Sequence, residues 1–212
     1  MMQGAHGSIA ALVLAVACSS PPNTRVVPDL WEVTVLGDAS DPRFLAVREA
    51  TQFWNQQLDS LGIALRFGQV TPSAERIPEA TLQRLSDAVT RRRVPPRPGE
   101  LDRIPGEVVV AFATSDLRSV GIAPEHMGRA LVVLRPANIA PLSFPNVARN
   151  VAAHELGHVL GLNHNTVPGT LMCAPPGTCT PASWRSDTAR FFPLTNAERA
   201  ELSERWIGRP RS

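Results

Sequence analysis

The chain has 212 residues, of which 43% are hydrophobic, so its length and composition allow one domain with a real core. Its formal net charge is +2, its 21 basic residues are all arginine, and it contains no tyrosine. No broad basic stripe runs along the sequence, which argues against nucleic acid as a partner.

The first 17 residues are typical of a secretory signal peptide. Ile9 to Ala17 form an apolar run that is too short to span a bilayer as a helix. The run ends in Leu-Ala-Val-Ala followed by Cys18, which resembles a bacterial lipoprotein cleavage box whose cysteine becomes the lipidated N terminus. The alternative is simple secretion with cleavage near Ala17. We therefore expect an exported protein that contacts a membrane only through a lipid anchor at Cys18, or not at all.

Residues 18–29 are polar and contain proline, as expected for a lipidation site and linker, and residues 30–212 are predicted to form one domain. Hydrophobic spacing predicts its elements. Strands are expected at Leu30–Leu36, Ile63–Val70, Glu107–Thr114 and Arg129–Arg135, and helices at Asp41–Leu61, Ile77–Arg93, Asn146–Leu160 and Thr195–Ile207. This order of strands and helices predicts an α+β domain with a mixed sheet.

Local signals refine several of these boundaries. Asp41 begins a helix with Pro42 at its first position, and Asn146 or a neighbour is expected to cap the third long helix. Thr195 and Glu198 have the spacing of a capping box. The arginine run Arg91–Arg93 ends a helix before a proline-rich turn, and we interpret it as a solvated helix end and not as a binding patch.

Three histidines have the spacing of a catalytic metal site. His154 and His158 are four residues apart on a predicted helix, so their imidazoles lie on one face. Gly161 can adopt the left-handed conformation that ends a helix, which lets the chain turn and bring His164 to the same ion. Three protein ligands leave one position of a tetrahedral Zn²⁺ ion open, as in catalytic sites.

Glu155 directly follows the first of these histidines and is a candidate general base. Next to a zinc ion it can take a proton from the attacking water and pass it to the leaving amine. From the composition of the chain, a chance match to the full set of His, Glu, His, Gly and His is on the order of one in a hundred thousand. A helix with merely structural histidines is the disfavoured alternative. Because tyrosine is absent, any second donor to the oxyanion must be backbone or another side chain.

The segment from His154 to His164 resembles the metzincin motif HExxHxxGxxH. Met172 follows His164 by eight residues, a spacing similar to that of the Met-turn in matrixins, the matrix-metalloproteinase group. The resemblance implies a metzincin-like domain with a twisted mixed sheet, an active-site helix, a Met-turn at Leu171–Cys173 and a C-terminal helix. It also implies a zinc endopeptidase with one catalytic Zn²⁺ ion and a peptide or protein substrate, which we expect to act as a monomer. The strand Arg129–Arg135 would be the edge strand that binds substrate.

The sequence departs from the matrixin pattern at several positions. Asn165 stands where matrixins usually carry serine after the third histidine, and Ala174 stands where they carry proline. No cysteine lies between Cys18 and Cys173, so a matrixin-type cysteine switch is absent, and we find no convincing calcium or second zinc site. His126 is interpreted as a surface residue.

The remaining cysteines predict a disulfide. If Cys18 carries lipid, Cys173 and Cys179 form an even pair that would be oxidised in an exported protein. Two free thiols are the alternative. The segment from Cys173 to about Pro193 is predicted to lack regular secondary structure. In a metzincin-like fold this segment would form a wall of the S1′ pocket.

The sequence is compatible with three functions. The chain is an active exported endopeptidase, an inactive zinc-binding relative of the same fold that binds peptides without cleaving them, or a surface lipoprotein in which the HExxHxxGxxH motif is coincidental. The presence of Glu155 argues against the inactive relative, because loss of the base is the simplest route to inactivity.

Overall fold

The computed structural model describes residues 1, 29–174, 179, 185 and 188–207. The expected signal peptide, the linker with Cys18, and part of the loop after the Met-turn lie outside the described residues. The elements in chain order are β1 (Asp29–Leu36), α1 (Pro42–Ser60), β2 (Leu65–Ser73), α2 (Glu79–Thr90), a 3-10 turn (Gly99–Asp102), β3 (Val108–Phe112), β4 (Val120–Ile122), α3 (Pro124–Met127), β5 (Ala130–Leu134), α4 (Pro145–Val159) and α5 (Asn196–Trp206).

The strands form one mixed sheet with the order β2-β1-β3-β5-β4, which confirms the α+β class. The first four strands in this order are parallel, and β4 is antiparallel to β5, with Gly121 opposite Val132. The expectation that Arg129–Arg135 is the edge strand is wrong, because β5 lies between β3 and β4. The strand at this edge is β4, and β2 forms the opposite edge. The sequence does not predict β4, because a three-residue strand with a central glycine gives almost no alternating pattern.

Helices cover both faces of the sheet, as a largely parallel sheet requires. Alternate residues of a strand point to opposite faces, so Val108 and Val110 face α1 and α4, while Val109 and Ala111 face α2. The larger core on the α1 and α4 side includes the fully buried Trp54. The smaller core, on the α2 side, is closed by residues of α2, the 3-10 turn and β4.

Most predicted helix boundaries are confirmed, with two corrections. Asp41 caps α1 by accepting a hydrogen bond from the Arg43 amide, and Thr195 and Glu198 form the predicted capping box of α5. The N-cap of α4 is Phe144, not Asn146, because Pro145 has no N–H to satisfy and occupies the first helical position. Asn146 is instead buried, and its side chain bonds elsewhere.

The second helix is shorter than predicted, spanning Glu79–Thr90 instead of Ile77–Arg93. Pro78 disfavours helical backbone at Ile77, and Arg92 has a positive φ of 54° that ends the helix. Among the described helices, none is long and apolar enough to cross a membrane.

Candidate metal centre and adjoining cavity

The three histidines predicted as ligands converge on one point. His154 and His158 project from the last turns of α4, and Gly161 then takes a positive φ of 91°, which turns the chain back towards the helix. The Nε2 atom of His164 lies 3.1 Å from that of His154 and 3.0 Å from that of His158. Two ligands of a tetrahedral zinc ion, each about 2.05 Å from the metal, would be about 3.3 Å apart. The donor set and its spacing therefore suit one metal ion.

Hydrogen bonds fix the rings of the two helical histidines. Nδ1 of His154 lies 2.8 Å from the Leu171 carbonyl oxygen, and Nδ1 of His158 lies 2.8 Å from the Leu162 carbonyl oxygen. A carbonyl only accepts, so each Nδ1 carries the proton and donates it. In the neutral rings Nε2 then presents a lone pair to the centre of the cluster, which is the form that binds a metal.

Burial keeps these rings neutral. It lowers the pKa of His154 to about 4, helped by the nearby His164, and lowers the pKa of His158 to about 3, helped by His154. The pKa of His164 is also lowered, chiefly by burial and then by the charges of Arg118 and Arg92. Near neutral pH His154 and His158 thus each offer an unprotonated nitrogen to the cluster, an arrangement that a bound cation stabilises.

Glu155 is buried in the wall of the cavity beside the cluster, with 7% of its surface exposed. Burial raises the pKa of its carboxyl to about 8, although a hydrogen bond from the Gly121 backbone and the charge of Arg118 oppose the shift. Gly121 makes this contact possible, since a Cβ there would overlap the Glu155 carbonyl oxygen. The edge strand β4 therefore lies directly against α4 at the candidate base.

Met172 packs against α4 and is completely buried. A Cβ at Gly157 would lie 2.5 Å from the Met172 sulfur, so the absence of a side chain there lets the turn approach α4. The indole of Trp54 donates a hydrogen bond of 2.8 Å to the Ala153 carbonyl, next to the first ligand, and its ring lies 3.2 Å from the same Cβ position at Gly157. Trp54 and Met172 thus pack together against the helix where it carries the histidines.

Asn165 connects the third histidine to the Met-turn and to α5. Its backbone N–H donates to the Met172 carbonyl at 2.9 Å, and its carbonyl accepts from Ala174 at 2.9 Å. Its side-chain amide donates to Glu198 at 2.5 Å and to Thr170 at 3.1 Å. In the sequence Asn165 is only a departure from the matrixin serine, whereas in the structure its bonds help to position His164.

The C-terminal helix closes over the turn at Gly161. The guanidinium of Arg205 occupies the space that a side chain at Gly161 would need, and it forms an ion pair of 2.9 Å with Glu125. Next to it, the indole of Trp206 donates to the Leu160 carbonyl at 3.0 Å. The turn that leads to His164 is therefore covered by residues from the end of the chain.

A cavity of about 820 Å³ adjoins the histidines. Cys173, Ala174 and Cys179 line one side of it, and the predicted disulfide between Cys173 and Cys179 is confirmed. On the other side two buried asparagines of α4 hold the chain that runs past the cavity: Asn146 accepts from the Arg190 amide and Asn150 from the Phe192 amide, each at 2.9 Å. In the sequence, the signal for this anchoring role is the spacing of four residues between Asn146 and Asn150, which places both amides on one face of the helix.

Among the other residues singled out in the sequence, His126 is exposed on α3, as predicted. Arg92, in the run interpreted as a solvated helix end, is exposed but close enough to lower the pKa of His164. Cys18 lies outside the described residues.

The family model described as Matrixin matches residues 140–181, a stretch that contains the three histidines, Glu155, Met172 and both bridged cysteines. No curated protein sequence matches the chain. The structure is similar to the crystal structure of archaemetzincin from Methanopyrus kandleri, with 15% sequence identity and a TM-score of 0.48, over 85% of this chain and 97% of that chain.

Proposed function

We propose that the chain is a zinc-dependent endopeptidase, a matrixin-like member of the metzincins, with His154, His158 and His164 as the ligands of one Zn²⁺ ion. The observation that carries this proposal is the convergence of three histidine Nε2 atoms beside a buried carboxyl group on the wall of a cavity. The match of the matrixin model to the same stretch of chain supports it.

The metal ion and Glu155 have separate roles in the proposed hydrolysis of a peptide bond. The bound metal would supply a Lewis acid that lowers the pKa of a water molecule and polarises the scissile carbonyl. Glu155 accepts the proton of the attacking water and delivers it to the leaving nitrogen. The positive charge of the bound ion would oppose the effect of burial on the pKa of this carboxyl, so that Glu155 can accept the proton as a carboxylate.

The edge strand β4 orients the substrate in this proposal. One side of β4 pairs with β5, and no described strand pairs with the other. An extended peptide can add to such an edge through main-chain hydrogen bonds. Because Gly121 brings β4 against Glu155, a peptide held there would present its carbonyl close to the base and to the three histidines.

This proposal is tested by measuring both the zinc content of the protein and its cleavage of a protein substrate. Purified protein should contain about one zinc per chain, as a three-histidine site implies. The Glu155→Gln variant should keep the zinc but lose cleavage of a denatured protein by about 10²- to 10⁴-fold, the usual contribution of a general base. A wild-type protein that holds zinc and cleaves nothing would be the non-catalytic peptide binder; undiminished cleavage by the variant would contradict the role of Glu155.

We further propose export, with Cys18 as the lipidated N terminus. The Cys173–Cys179 disulfide supports export, since such bonds persist in oxidising compartments. The intact mass of the mature protein tests the anchor. A mass that corresponds to an unmodified N terminus at any other residue removes the lipoprotein proposal and leaves simple secretion.

A further inference from the structure

The cavity beside the histidines is apolar along most of its wall but carries an excess of arginine. Its charged lining residues are Arg118, Arg135, Arg185, Asp116 and Glu155. Asp116 forms an ion pair with Arg135, and Glu155 is the buried candidate base. Three arginines thus face two carboxyl groups, and the described lining of the cavity has an excess of positive charge.

Arg118 is the arginine best placed to meet a substrate. It is exposed, and it lies two residues before β4 in the segment that forms one wall of the cavity. No carboxylate of the described residues forms an ion pair with it. Glu155 and His164 line the same cavity, so Arg118 shares its lining with the metal-binding end of the cavity.

The backbone of Arg118 is held in place from the opposite face of the sheet. The hydroxyl of Ser86, a buried residue of α2, donates a hydrogen bond of 2.8 Å to the Arg118 carbonyl. The following residue, Ser119, bonds to the Arg135 amide at 3.1 Å. The two arginines are thus attached to the same stretch of wall, with fixed backbones and cationic side chains at the cavity.

Arg135 lines the same cavity, but its charge is already paired. Its guanidinium forms an ion pair with Asp116, and its Nε atom is buried away from the cavity surface. Arg185, whose guanidinium lies 5.4 Å from the centre of the Phe144 ring, extends the positive lining.

We propose that this cavity selects an acidic side chain, glutamate before aspartate, at the residue that follows the scissile bond, and that Arg118 is the main specificity-determining residue. The inference rests on the proposed endopeptidase function, since it takes the cavity walled by Cys173, Ala174 and Cys179 as the pocket for that residue. The apolar wall suits the methylene groups of glutamate, and the arginines suit its carboxylate.

The expected size of the preference follows from the exposure of Arg118. An exposed ion pair contributes about 0.2–1 kcal/mol, which corresponds to at most about fivefold in affinity, and partial exclusion of water in the cavity strengthens it. We therefore expect kcat/KM for a peptide with glutamate at this position to exceed that of the otherwise identical peptide with glutamine by about fivefold. Because the interaction is between charges near the surface, high salt should reduce the ratio.

The experiment uses three peptides that differ only in having glutamate, glutamine or lysine after the scissile bond. With the zinc-loaded wild-type protein, glutamate should be cleaved best and lysine worst. Arg118→Gln should abolish the preference for glutamate over glutamine, and Arg118→Glu should reverse the order of glutamate and lysine. Arg48→Gln removes the same charge from the exposed side of α1, outside the cavity lining, and should leave the ratios unchanged.

Two outcomes overturn the inference. One is equal cleavage of the glutamate and glutamine peptides by the wild-type protein. The other is an Arg118→Gln variant that loses activity equally towards all three peptides, since that would mean a role in folding or in the chemical step and not in selection.

A binding measurement separates this inference from the proposed function. The zinc-loaded Glu155→Gln protein should bind the glutamate peptide about fivefold more tightly than the glutamine peptide, and the added Arg118→Gln substitution should remove the difference. If the wild-type protein cleaves no peptide but the binding preference is present, the endopeptidase proposal fails and the selective cavity stands. Equal dissociation constants for the two peptides refute the cavity proposal whatever the catalytic result.

Discussion

The two faces of the sheet are built from the same strands but differ in what they bury. The face covered by α2 buries almost only aliphatic side chains, apart from the hydroxyls of Ser86 and Thr34. The face covered by α1 and α4 buries Asn146, Asn150 and Glu155 within a larger apolar core. The two asparagines are satisfied by hydrogen bonds, whereas Glu155 remains a carboxyl group with a raised pKa.

The difference indicates where stability and function are coupled. A packing defect on the α2 face should weaken the fold and leave the histidines in place, because no ligand lies on that side. A defect on the α4 face should move the histidines as well, since the same helix packs the core and carries two of them. The following predictions test this separation.

The largest effect is expected from removing a ligand. His158→Ala should reduce zinc affinity by far more than the roughly 10- to 100-fold that follows loss of a group that merely supports a ligand. Chelation should lower the melting temperature of the wild-type protein but not that of the variant, because only the former gains stability from the metal. His126→Ala, a change in an exposed histidine, is the matched control. Full zinc retention in His158→Ala would remove it from the ligand set.

The second prediction concerns the contact between β4 and α4. Gly121→Val should push the strand away from Glu155, because its side chain would overlap the helix backbone. We expect a loss of about 10²-fold in kcat/KM, as small misplacements near the reacting groups produce, and a destabilisation of about 1–3 kcal/mol from overpacking. Gly99→Ala, where a Cβ meets no atom within 4 Å, is the control. A fully active Gly121→Val protein would show that β4 does not position the base.

The third prediction compares one leucine from each face. Leu85 in α2 and Leu156 in α4 are both buried, and each change to alanine should cost about 2–5 kcal/mol in the free energy of unfolding, measured by chemical denaturation. Leu156→Ala should also weaken zinc binding, whereas Leu85→Ala should leave it unchanged. Equal loss of zinc affinity in both variants would mean that the two faces are not separable.

The smallest effect is expected at the disulfide. Replacing Cys173 and Cys179 together by serine opens a short loop and should lower the free energy of unfolding by about 2 kcal/mol. Zinc content should be unchanged, because no described ligand lies in the loop, while the ratios of cleavage among peptides that differ after the scissile bond should change. Loss of zinc would assign the bridge to the metal centre; unchanged ratios would separate it from the cavity.

The long elements were predictable because their residues carry the pattern themselves. Apolar residues with helical spacing predicted α1, and the histidine spacing predicted that α4 places two imidazoles on one face. The Met-turn and the disulfide followed from resemblance and from cysteine arithmetic. Each of these signals lies within a short stretch of chain.

The features that escaped prediction depend on partners distant in sequence. The strand β4 is defined by its pairing with β5 and by the approach of Gly121 to α4, neither of which leaves a local pattern. The role of Asn165 depends on Glu198, which lies 33 residues later. The arginine lining of the cavity could not be predicted, because the sequence does not show which segments form the cavity walls.

The cover that α5 places over the turn at Gly161 has a consequence for how the protein is made. Arg205 and Trp206 come after His164 in the chain, so their contacts with the end of α4 can form only once α5 has been synthesised. Until then the segment leading to His164 lacks these contacts. In a growing polypeptide the sheet, whose strands all precede α4, can therefore form before the turn that leads to the third histidine is covered.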